Sequence, residues 1–148
     1  MTTDLNILIT GSEGAIGSRL VDALTTISPT SNIIRVSRKQ PSCAGEAPLQ
    51  QLLIGDLLDA EFVKSIFDNF EIHVVIFCAA KWNGLNQDPV VLNDNVTMFN
   101  NVLATLATTV TNFIYLSSSA IYPAAHCIDS ALIDSLPPSS YGKSKLIN

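Results

Sequence analysis

Two side chains near the end of the chain have the types and the spacing that proton transfer requires. Tyr141 and Lys145 are four residues apart, and on a helix this spacing places both side chains on one face. Tyrosine is a poor base at neutral pH, because its pKa in water is about 10. A neighbouring ammonium group favours the phenolate and so makes proton transfer at neutral pH more accessible. The pair predicts an acid/base catalyst, although exposed amphipathic helices show the same spacing.

A glycine-rich segment close to the start of the chain has the pattern of a phosphate-binding turn. It runs Gly11, Ser12, Glu13, Gly14, Ala15, Ile16, Gly17, directly after Thr10. Gly11 permits a tight turn, Gly14 lets the backbone approach a pyrophosphate, and Gly17 lets a helix pack closely on a sheet. A helix that begins here presents free N–H groups to the phosphates. We predict that the whole segment binds a dinucleotide; the alternative is an ordinary flexible loop. A P-loop is disfavoured, because no Gly-Lys-Ser/Thr follows the glycines.

The segment after the second predicted strand bears on which dinucleotide is bound. An acidic residue there would hydrogen-bond the ribose hydroxyls of NAD and repel the 2′-phosphate of NADP. The chain has Ser37 and Arg38 at this point and no carboxylate. Ser37 can donate a hydrogen bond, and Arg38 can pair with a phosphate dianion. The sequence therefore favours NADP over NAD, unless the basic residues only form a solvated strand end.

These side chains must be positioned by a series of strands and helices. Short apolar runs predict strands at 5–10, 33–36, 51–54, 73–78 and 113–116. Helical periodicity predicts helices at about 15–27 and 89–110 and from about 139 onwards. A further helix is predicted after Asp59, which can cap it, with Phe62, Ile66, Phe67 and Phe70 at helical spacing. In the first helix the predicted buried face is Ile16, Leu20, Val21 and Leu24. Segment 39–49 contains two prolines and a glycine and predicts a surface loop. We predict an α/β fold with a doubly wound, Rossmann-like parallel sheet, as one domain over residues 1–148, with ligands at the carboxyl edge of the sheet.

Composition excludes several classes of function. The 148 residues are 47% hydrophobic with a net charge of −5, so no basic surface for nucleic acid or for an anionic membrane is expected. The three cysteines (Cys43, Cys78 and Cys127) and two histidines (His73 and His126) lack metal-ligand spacing, and we predict neither a metal site nor a disulfide framework. The first residues lack the basic region of a signal peptide, and no run approaches the ~20 apolar residues of a membrane span. The expected location is the cytoplasm.

Taken together, the motifs resemble those of the extended short-chain dehydrogenase/reductase family, which contains nucleotide-sugar epimerases, dehydratases and reductases. The similarity covers almost the whole chain. The matching segments are, in order, Thr10–Gly17, Asp56-Leu57, Ala79-Ala80, Ser118-Ser119-Ala120-Ile121-Tyr122-Pro123 and Tyr141-Gly142-Lys143-Ser144-Lys145.

The resemblance implies a role for particular residues. Ser118 matches the catalytic serine of the family, with Ser119 as the alternative, Tyr141 matches the acid/base tyrosine, and Lys145 matches its lysine partner. Asp56, followed by Leu57, matches an aspartate that contacts the adenine amino group. The resemblance also places Ala79, Ala80, Lys81 and Asn95 among the cofactor-binding residues.

The same resemblance implies hydride transfer between NAD(P) and a nucleotide sugar, in an epimerase, dehydratase or reductase. Family members are about twice as long, so we expect a fragment without the C-terminal strands and the substrate lobe, and a homodimer for a full-length protein. Two alternatives remain open: a non-catalytic dinucleotide-binding module or inactive fragment, and a different Rossmann-like transferase that uses the glycine turn but neither Tyr141 nor Lys145.

Overall fold

The computed structural model describes residues 4–40, 49–84, 87–122, 137 and 139–147. The strands are β1 Asn6–Thr10, β2 Asn32–Ser37, β3 Gln50–Ile54, β4 Val74–Phe77 and β5 Asn112–Tyr115. The helices are α1 Gly17–Ile27, α2 Ala60–Asn69, α3 Pro89–Ala104 and α4 Ser140–Ile147, with a 3₁₀ turn at Ser119–Ile121. The chain divides into two compact units, 1–79 with 101–116 and 80–100 with 117–148.

The first unit contains a five-stranded parallel sheet in the order β3-β2-β1-β4-β5. β2 and then β3 lie on one side of β1, and β4 and then β5 lie on its other side. This reversal makes the sheet doubly wound, and in such sheets ligands bind outside the carboxyl ends of the strands where the order reverses. The predicted fold class is confirmed, and each predicted strand lies within two residues of its observed bounds.

The core of this unit lies around β1, where Ile7, Leu8 and Ile9 are buried. Helix α1 packs on this core through Val21, Leu20 and Leu24, as its predicted buried face requires. The prediction that Ile16 belongs to that face is wrong. Ile16 is 57% exposed, because the helix begins at Gly17, two residues after its predicted start, and Ile16 occupies the N-cap position.

Helix α2 begins where its capping residue predicts. The Asp59 carboxylate accepts hydrogen bonds from the backbone N–H groups of Glu61 and Phe62, at 3.0 and 3.2 Å, which satisfies donors that the helix itself cannot pair. Val63 and Ile66 form its buried face. Among the described residues, no helix combines the length and apolar character needed to cross a membrane.

Helix α3 ends at Ala104, six residues before the predicted end at Val110. After Ala104, the hydroxyl groups of two threonines hydrogen-bond to backbone carbonyl oxygens, and the helix does not continue. The Thr105 hydroxyl contacts the carbonyl oxygens of Asn101 and Val102 at 3.1 and 3.0 Å, and Thr109 donates to the carbonyl of Ile72 at 2.9 Å. Such side-chain bonds compete with helical pairing, so the longer helix was a wrong prediction.

The second unit contains the beginning of α3, the 3₁₀ turn and α4. The last helix begins at Ser140, one residue from its predicted start. Pro123, His126, Cys127 and Pro138, as well as Cys43 and most of the predicted 39–49 loop, lie outside the described residues.

Candidate active site

The glycine-rich segment forms the turn between β1 and α1, as predicted. Gly11 has a φ of 67°, a left-handed conformation that only glycine adopts at little cost. A Cβ at Gly11 would also lie 2.9 Å from the Cα of Ala79. The Ala79 N–H, in turn, donates to the Thr10 hydroxyl at 3.2 Å. The first glycine therefore brings the ends of β1 and β4 together at the point where the strand order reverses.

The other two glycines of the turn differ in their surroundings. A Cβ at Gly17 would lie 2.3 Å from the carbonyl oxygen of Gly11, so this glycine is required for close packing within the turn. A Cβ at Gly14 would meet only that same carbonyl oxygen, at 3.1 Å. Gly14 is also exposed. Its open side is therefore accessible to a ligand, as the approach of a pyrophosphate requires.

The N-terminus of α1 fits a phosphate group. Its N-cap residue, Ile16, makes no side-chain capping bond, and the first turn has no acidic residue. Free N–H groups at a helix N-terminus attract anions. Residues 13–16 are all exposed, including the large apolar side chain of Ile16. The Gly14 N–H is used within the turn, because it donates to the Gly11 carbonyl at 3.0 Å. The predicted pyrophosphate contacts of Glu13, Gly14, Ala15 and Ile16 remain predictions.

Ser12 differs from its exposed neighbours because it is fully buried. Its N–H donates to the carbonyl of Val36 at 3.1 Å, and its hydroxyl contacts the same oxygen at 3.3 Å. Ser12 therefore attaches the turn to β2. Its predicted contact with a cofactor remains a prediction.

At the end of β2, Ser37 and Arg38 have different environments. The Ser37 hydroxyl donates to the carbonyl of Lys39 at 2.8 Å and accepts from the Lys39 N–H at 3.2 Å. Its single proton is thus already donated within the chain. Arg38 is exposed and has no ion-pair partner among the described residues. Arg38 is therefore available to a phosphate at this strand end, next to Lys39, which is also exposed.

Asp56 and Leu57 follow β3. One carboxylate oxygen of Asp56 accepts from the N–H of Leu58 at 3.0 Å, which is the local turn that aspartate favours. Leu57 is buried, and its carbonyl accepts from the Asn101 amide at 2.8 Å. This arrangement fixes the loop, and the second Asp56 oxygen has no hydrogen-bond partner among the described residues; the adenine contact remains a prediction.

In the second unit, Asn95 joins the segment after Ala80 to helix α4. Its side-chain oxygen accepts from the N–H of Lys81 at 2.7 Å, and its amide nitrogen donates to the carbonyl of Lys81 at 3.0 Å and to the Ser144 hydroxyl at 3.1 Å. Asn95 and Ser144 are buried. The Lys81 ammonium forms an ion pair with Asp94. Asn95 thus uses both amide hydrogens within the protein, and its predicted cofactor contact remains a prediction.

Tyr141 and Lys145 lie on the same face of α4, as their spacing predicts. The Lys145 ammonium is 5.9 Å from the centroid of the Tyr141 ring. Lys145 is buried, with 7% of its surface exposed, and Tyr141 is half-buried. No hydrogen bond to the Tyr141 hydroxyl is found within the described part of the chain. The Tyr141 ring therefore lies beside a buried cation, and its role as the acid/base remains a prediction.

Ser118 lies on the turn against which α4 packs. Its hydroxyl oxygen accepts from the N–H of Ala120 at 3.2 Å and caps the 3₁₀ turn. A Cβ at Gly142 would lie 2.1 Å from the carbonyl oxygen of Ala120, so the backbones of the turn and the helix are in contact. The structure thus places the elements that carry Ser118 and Tyr141 against each other, while the alternative serine, Ser119, is exposed.

Two supporting residues in this unit were not predicted from the sequence. Gly142 allows α4 to contact the 3₁₀ turn, and its signal was a glycine inside a predicted helix, which is costly unless packing requires it. Ser144 binds Asn95, and it also donates to the carbonyl of Tyr141 at 2.7 Å. Ser144 lies within the segment that resembles the family motif, but its bond to Asn95 joins residues 49 apart in the chain, and no local pattern predicts that contact.

Three solved structures with a similar fold are each longer than this chain. A Bordetella bronchiseptica enzyme, WbmG, in complex with NAD and UDP, is 24% identical with a TM-score of 0.78, over 97% of this chain and 47% of that one. The UDP-glucose 4-epimerase of Thermotoga maritima, with UDP-glucose, is 23% identical with a TM-score of 0.77, over 95% and 48%. The dTDP-glucose 4,6-dehydratase of Bacillus anthracis, in complex with NAD, is 20% identical with a TM-score of 0.76, over 96% and 47%. The chain spans about half the length of each of these proteins.

Comparison with curated protein sequences gave no match. Comparison with protein-family models gave a match over residues 7–148, nearly the entire chain. That stretch contains the glycine turn, the 3₁₀ turn and the Tyr141–Lys145 helix, and the resemblance inferred from these motifs is confirmed. The chain belongs to the NAD dependent epimerase/dehydratase family.

Proposed function

We propose that this chain is the dinucleotide-binding and catalytic part of an NAD(P)-dependent nucleotide-sugar epimerase, dehydratase or reductase. The observation that carries the proposal is the buried Lys145 ammonium, 5.9 Å from the centroid of the Tyr141 ring, on a helix in backbone contact with the Ser118 turn. Solved proteins with this fold contain NAD together with UDP, or UDP-glucose. These ligands support a nucleotide sugar as the substrate.

The chain would hold the dinucleotide through several groups of residues. Glycine-turn N–H groups would bind the pyrophosphate, and Asp56 and Leu57 would lie beside the adenine. The cofactor would also contact residues that follow β4 and one residue of α3, namely Ala79, Ala80, Lys81 and Asn95. The bound dinucleotide supplies the acceptor or donor of a hydride.

Tyr141 would act as the acid/base. In oxidation of a sugar alcohol, its phenolate would take the hydroxyl proton as the hydride leaves the adjoining carbon, and in reduction the phenol would return that proton. The Lys145 ammonium, on the same face of α4 as Tyr141, would hold the nicotinamide ribose. The Ser118 hydroxyl would donate to the substrate oxygen, and its proton has no acceptor within the described residues.

We also propose that Arg38 gives this chain its affinity for NADP. Arg38 is exposed at the end of β2, where a 2′-phosphate would lie, and a guanidinium binds a phosphate through two parallel hydrogen bonds. Ser37 would contribute less than the sequence predicts, because its proton is donated to Lys39.

Titration of the purified protein with NAD, NADP and their reduced forms tests the proposal, by calorimetry and by the fluorescence of Trp82, the single tryptophan. A panel of UDP-, dTDP- and GDP-sugars is then assayed for turnover. We expect cofactor binding and turnover of at least one sugar nucleotide. Absence of cofactor binding would contradict the proposal, and binding without turnover of any sugar would support a non-catalytic dinucleotide-binding module instead.

A further inference from the structure

The glycine turn contains one charged side chain, and this side chain contacts β2. The Glu13 carboxylate forms an ion pair with the guanidinium of Arg35 through Oε1, the same oxygen that accepts from the Ser12 hydroxyl at 3.4 Å. The backbone N–H of Ser12 donates to the Val36 carbonyl at 3.1 Å. Two adjacent residues of the turn are therefore attached to β2, and the position of the Glu13 carboxylate relative to that strand is fixed.

The two residues of this ion pair differ in their other hydrogen bonds and in their exposure. Arg35 also donates to the Gln50 side chain at 3.1 Å, and its side chain is only 17% exposed. Glu13 is the more accessible partner, with 28% of its side chain exposed. Its second oxygen, Oε2, has no hydrogen-bond partner within the described ranges. A ligand at this turn would therefore meet a carboxylate oxygen that can accept a hydrogen bond, and a guanidinium that is already paired.

The carboxylate lies near the strand end at which adenosine ribose is recognised in this fold. Arg35 and Ser37 are two residues apart on β2 and so face the same side of the sheet. The Glu13–Arg35 ion pair therefore involves the face of β2 that also carries Ser37. Because salt screens partly buried charges less than exposed ones, the Glu13 carboxylate can influence a group bound at this strand end.

We propose that Glu13 supplies the carboxylate that the end of β2 lacks, and so lowers the affinity for NADP relative to NAD. The 2′-hydroxyl of NAD can donate a hydrogen bond to Oε2, whereas the 2′-phosphate of NADP is a dianion that the carboxylate repels. Glu13 also keeps the Arg35 charge neutralised. The cofactor preference of the chain is then set by two opposed residues, with Arg38 favouring NADP and Glu13 favouring NAD. This inference rests on the proposed binding of a dinucleotide.

The test is the ratio of the dissociation constants of NADP and NAD, measured by calorimetry for the unaltered chain and for Glu13→Gln. Glutamine keeps the length of the side chain and removes its charge. We expect the NADP/NAD ratio to fall by about tenfold, the scale of one charge-assisted hydrogen bond. Arg38→Gln should move the same ratio in the opposite direction.

The matched control is Glu71→Gln, which removes the same charge at the opposite edge of the sheet. Glu71 is exposed and precedes β4, at the amino ends of the strands, whereas Glu13 follows the carboxyl end of β1. We expect Glu71→Gln to leave the ratio within twofold of its original value. An equal change in both variants would overturn the inference, because it would show an effect of net charge alone.

A further variant guards against misfolding of Glu13→Gln. Glu13→Asp keeps the charge but shortens the side chain, so its ratio should fall less than that of Glu13→Gln. If the chain binds both cofactors and neither Glu13 variant changes the ratio by more than twofold, the inference is overturned and the proposed function stands. If the unaltered chain binds neither cofactor, the proposed function and the inference are both overturned.

Discussion

The carbonyl oxygen of Ala120 lies 2.1 Å from the position that a Cβ on Gly142 would occupy. The two residues belong to the 3₁₀ turn and to α4, and each is adjacent or nearly adjacent to a proposed catalytic side chain. Gly142 follows Tyr141, and Ala120 lies two residues after Ser118. Glycine at this position therefore allows the helix with the tyrosine to contact the turn with the serine.

We expect Gly142→Ala to displace α4 from the 3₁₀ turn. The added methyl group would overlap a backbone carbonyl, which cannot rotate away as a side chain can. The free energy of unfolding should fall by about 1–3 kcal/mol, and turnover should fall more than cofactor binding, because Tyr141 moves relative to Ser118. Urea unfolding and steady-state kinetics measure the two effects.

Leu146→Ala is the control on the same helix. Leu146 is 43% exposed, and its truncation should change the free energy of unfolding by about 0.5 kcal/mol. A Gly142→Ala protein as stable and as active as this control would show that the contact with Ala120 is not needed.

Substitutions at two glycines of the turn should distinguish an effect on stability from an effect on cofactor binding. A Cβ at Gly17 would overlap the Gly11 carbonyl oxygen at 2.3 Å, whereas one at Gly14 would meet it at 3.1 Å. We expect Gly17→Ala to destabilise the protein by about 2 kcal/mol or more, and Gly14→Ala to cost about 1 kcal/mol at most. Gly14→Ala should still weaken dinucleotide binding at least tenfold, because its methyl group would occupy the open side of the turn.

Circular dichroism during urea unfolding and calorimetric titration with NAD and NADP compare these variants. Unchanged cofactor affinity in a folded Gly14→Ala protein would mean that the pyrophosphate does not approach this glycine.

The bonds of Asn95 predict energetic coupling to Ser144. Asn95→Ala would leave both backbone groups of Lys81 without their partner, and we expect a loss of about 1–3 kcal/mol in the free energy of unfolding. Ser144→Ala should cost less, since it removes one of the Asn95 bonds. A double-mutant cycle should give a coupling energy of about 1 kcal/mol.

Asn100→Ala provides the comparison for this cycle. Asn100 is exposed on the same helix, and its replacement should be nearly neutral. Strictly additive effects of Asn95→Ala and Ser144→Ala would indicate that the 3.1 Å bond between them contributes nothing to stability.

The sequence predicted those features that depend on local pattern. The apolar run before Gly11 predicted β1 and the turn that follows it. The four-residue spacing predicted that Tyr141 and Lys145 lie on one face of a helix, and Asp59 predicted the start of α2. Contacts between distant segments were not predicted, because periodicity carries no information about them. The Asn95–Ser144 bond, the Glu13–Arg35 ion pair and the approach of Gly142 to Ala120 all belong to this class.

Two local predictions, the burial of Ile16 and the end of α3, were wrong because they relied on the periodicity of apolar residues alone. Ile16 matched the apolar stripe of α1, yet it precedes the first helical residue and remains exposed. Thr105 and Thr109 lie in an apolar, helix-like stretch, yet their hydroxyl groups bond to carbonyl oxygens and the helix ends at Ala104.

The most direct test of the catalytic proposal is Tyr141→Phe, assayed for cofactor binding and for turnover of the sugar nucleotide that the unaltered protein accepts. The substitution removes one hydroxyl group and keeps the ring beside Lys145. We predict that the dissociation constant of the cofactor changes by less than about threefold, while kcat falls by about 10²–10⁴, the usual contribution of a general acid or base. Turnover at the original rate in the Tyr141→Phe protein would contradict the assignment of this tyrosine as the acid/base.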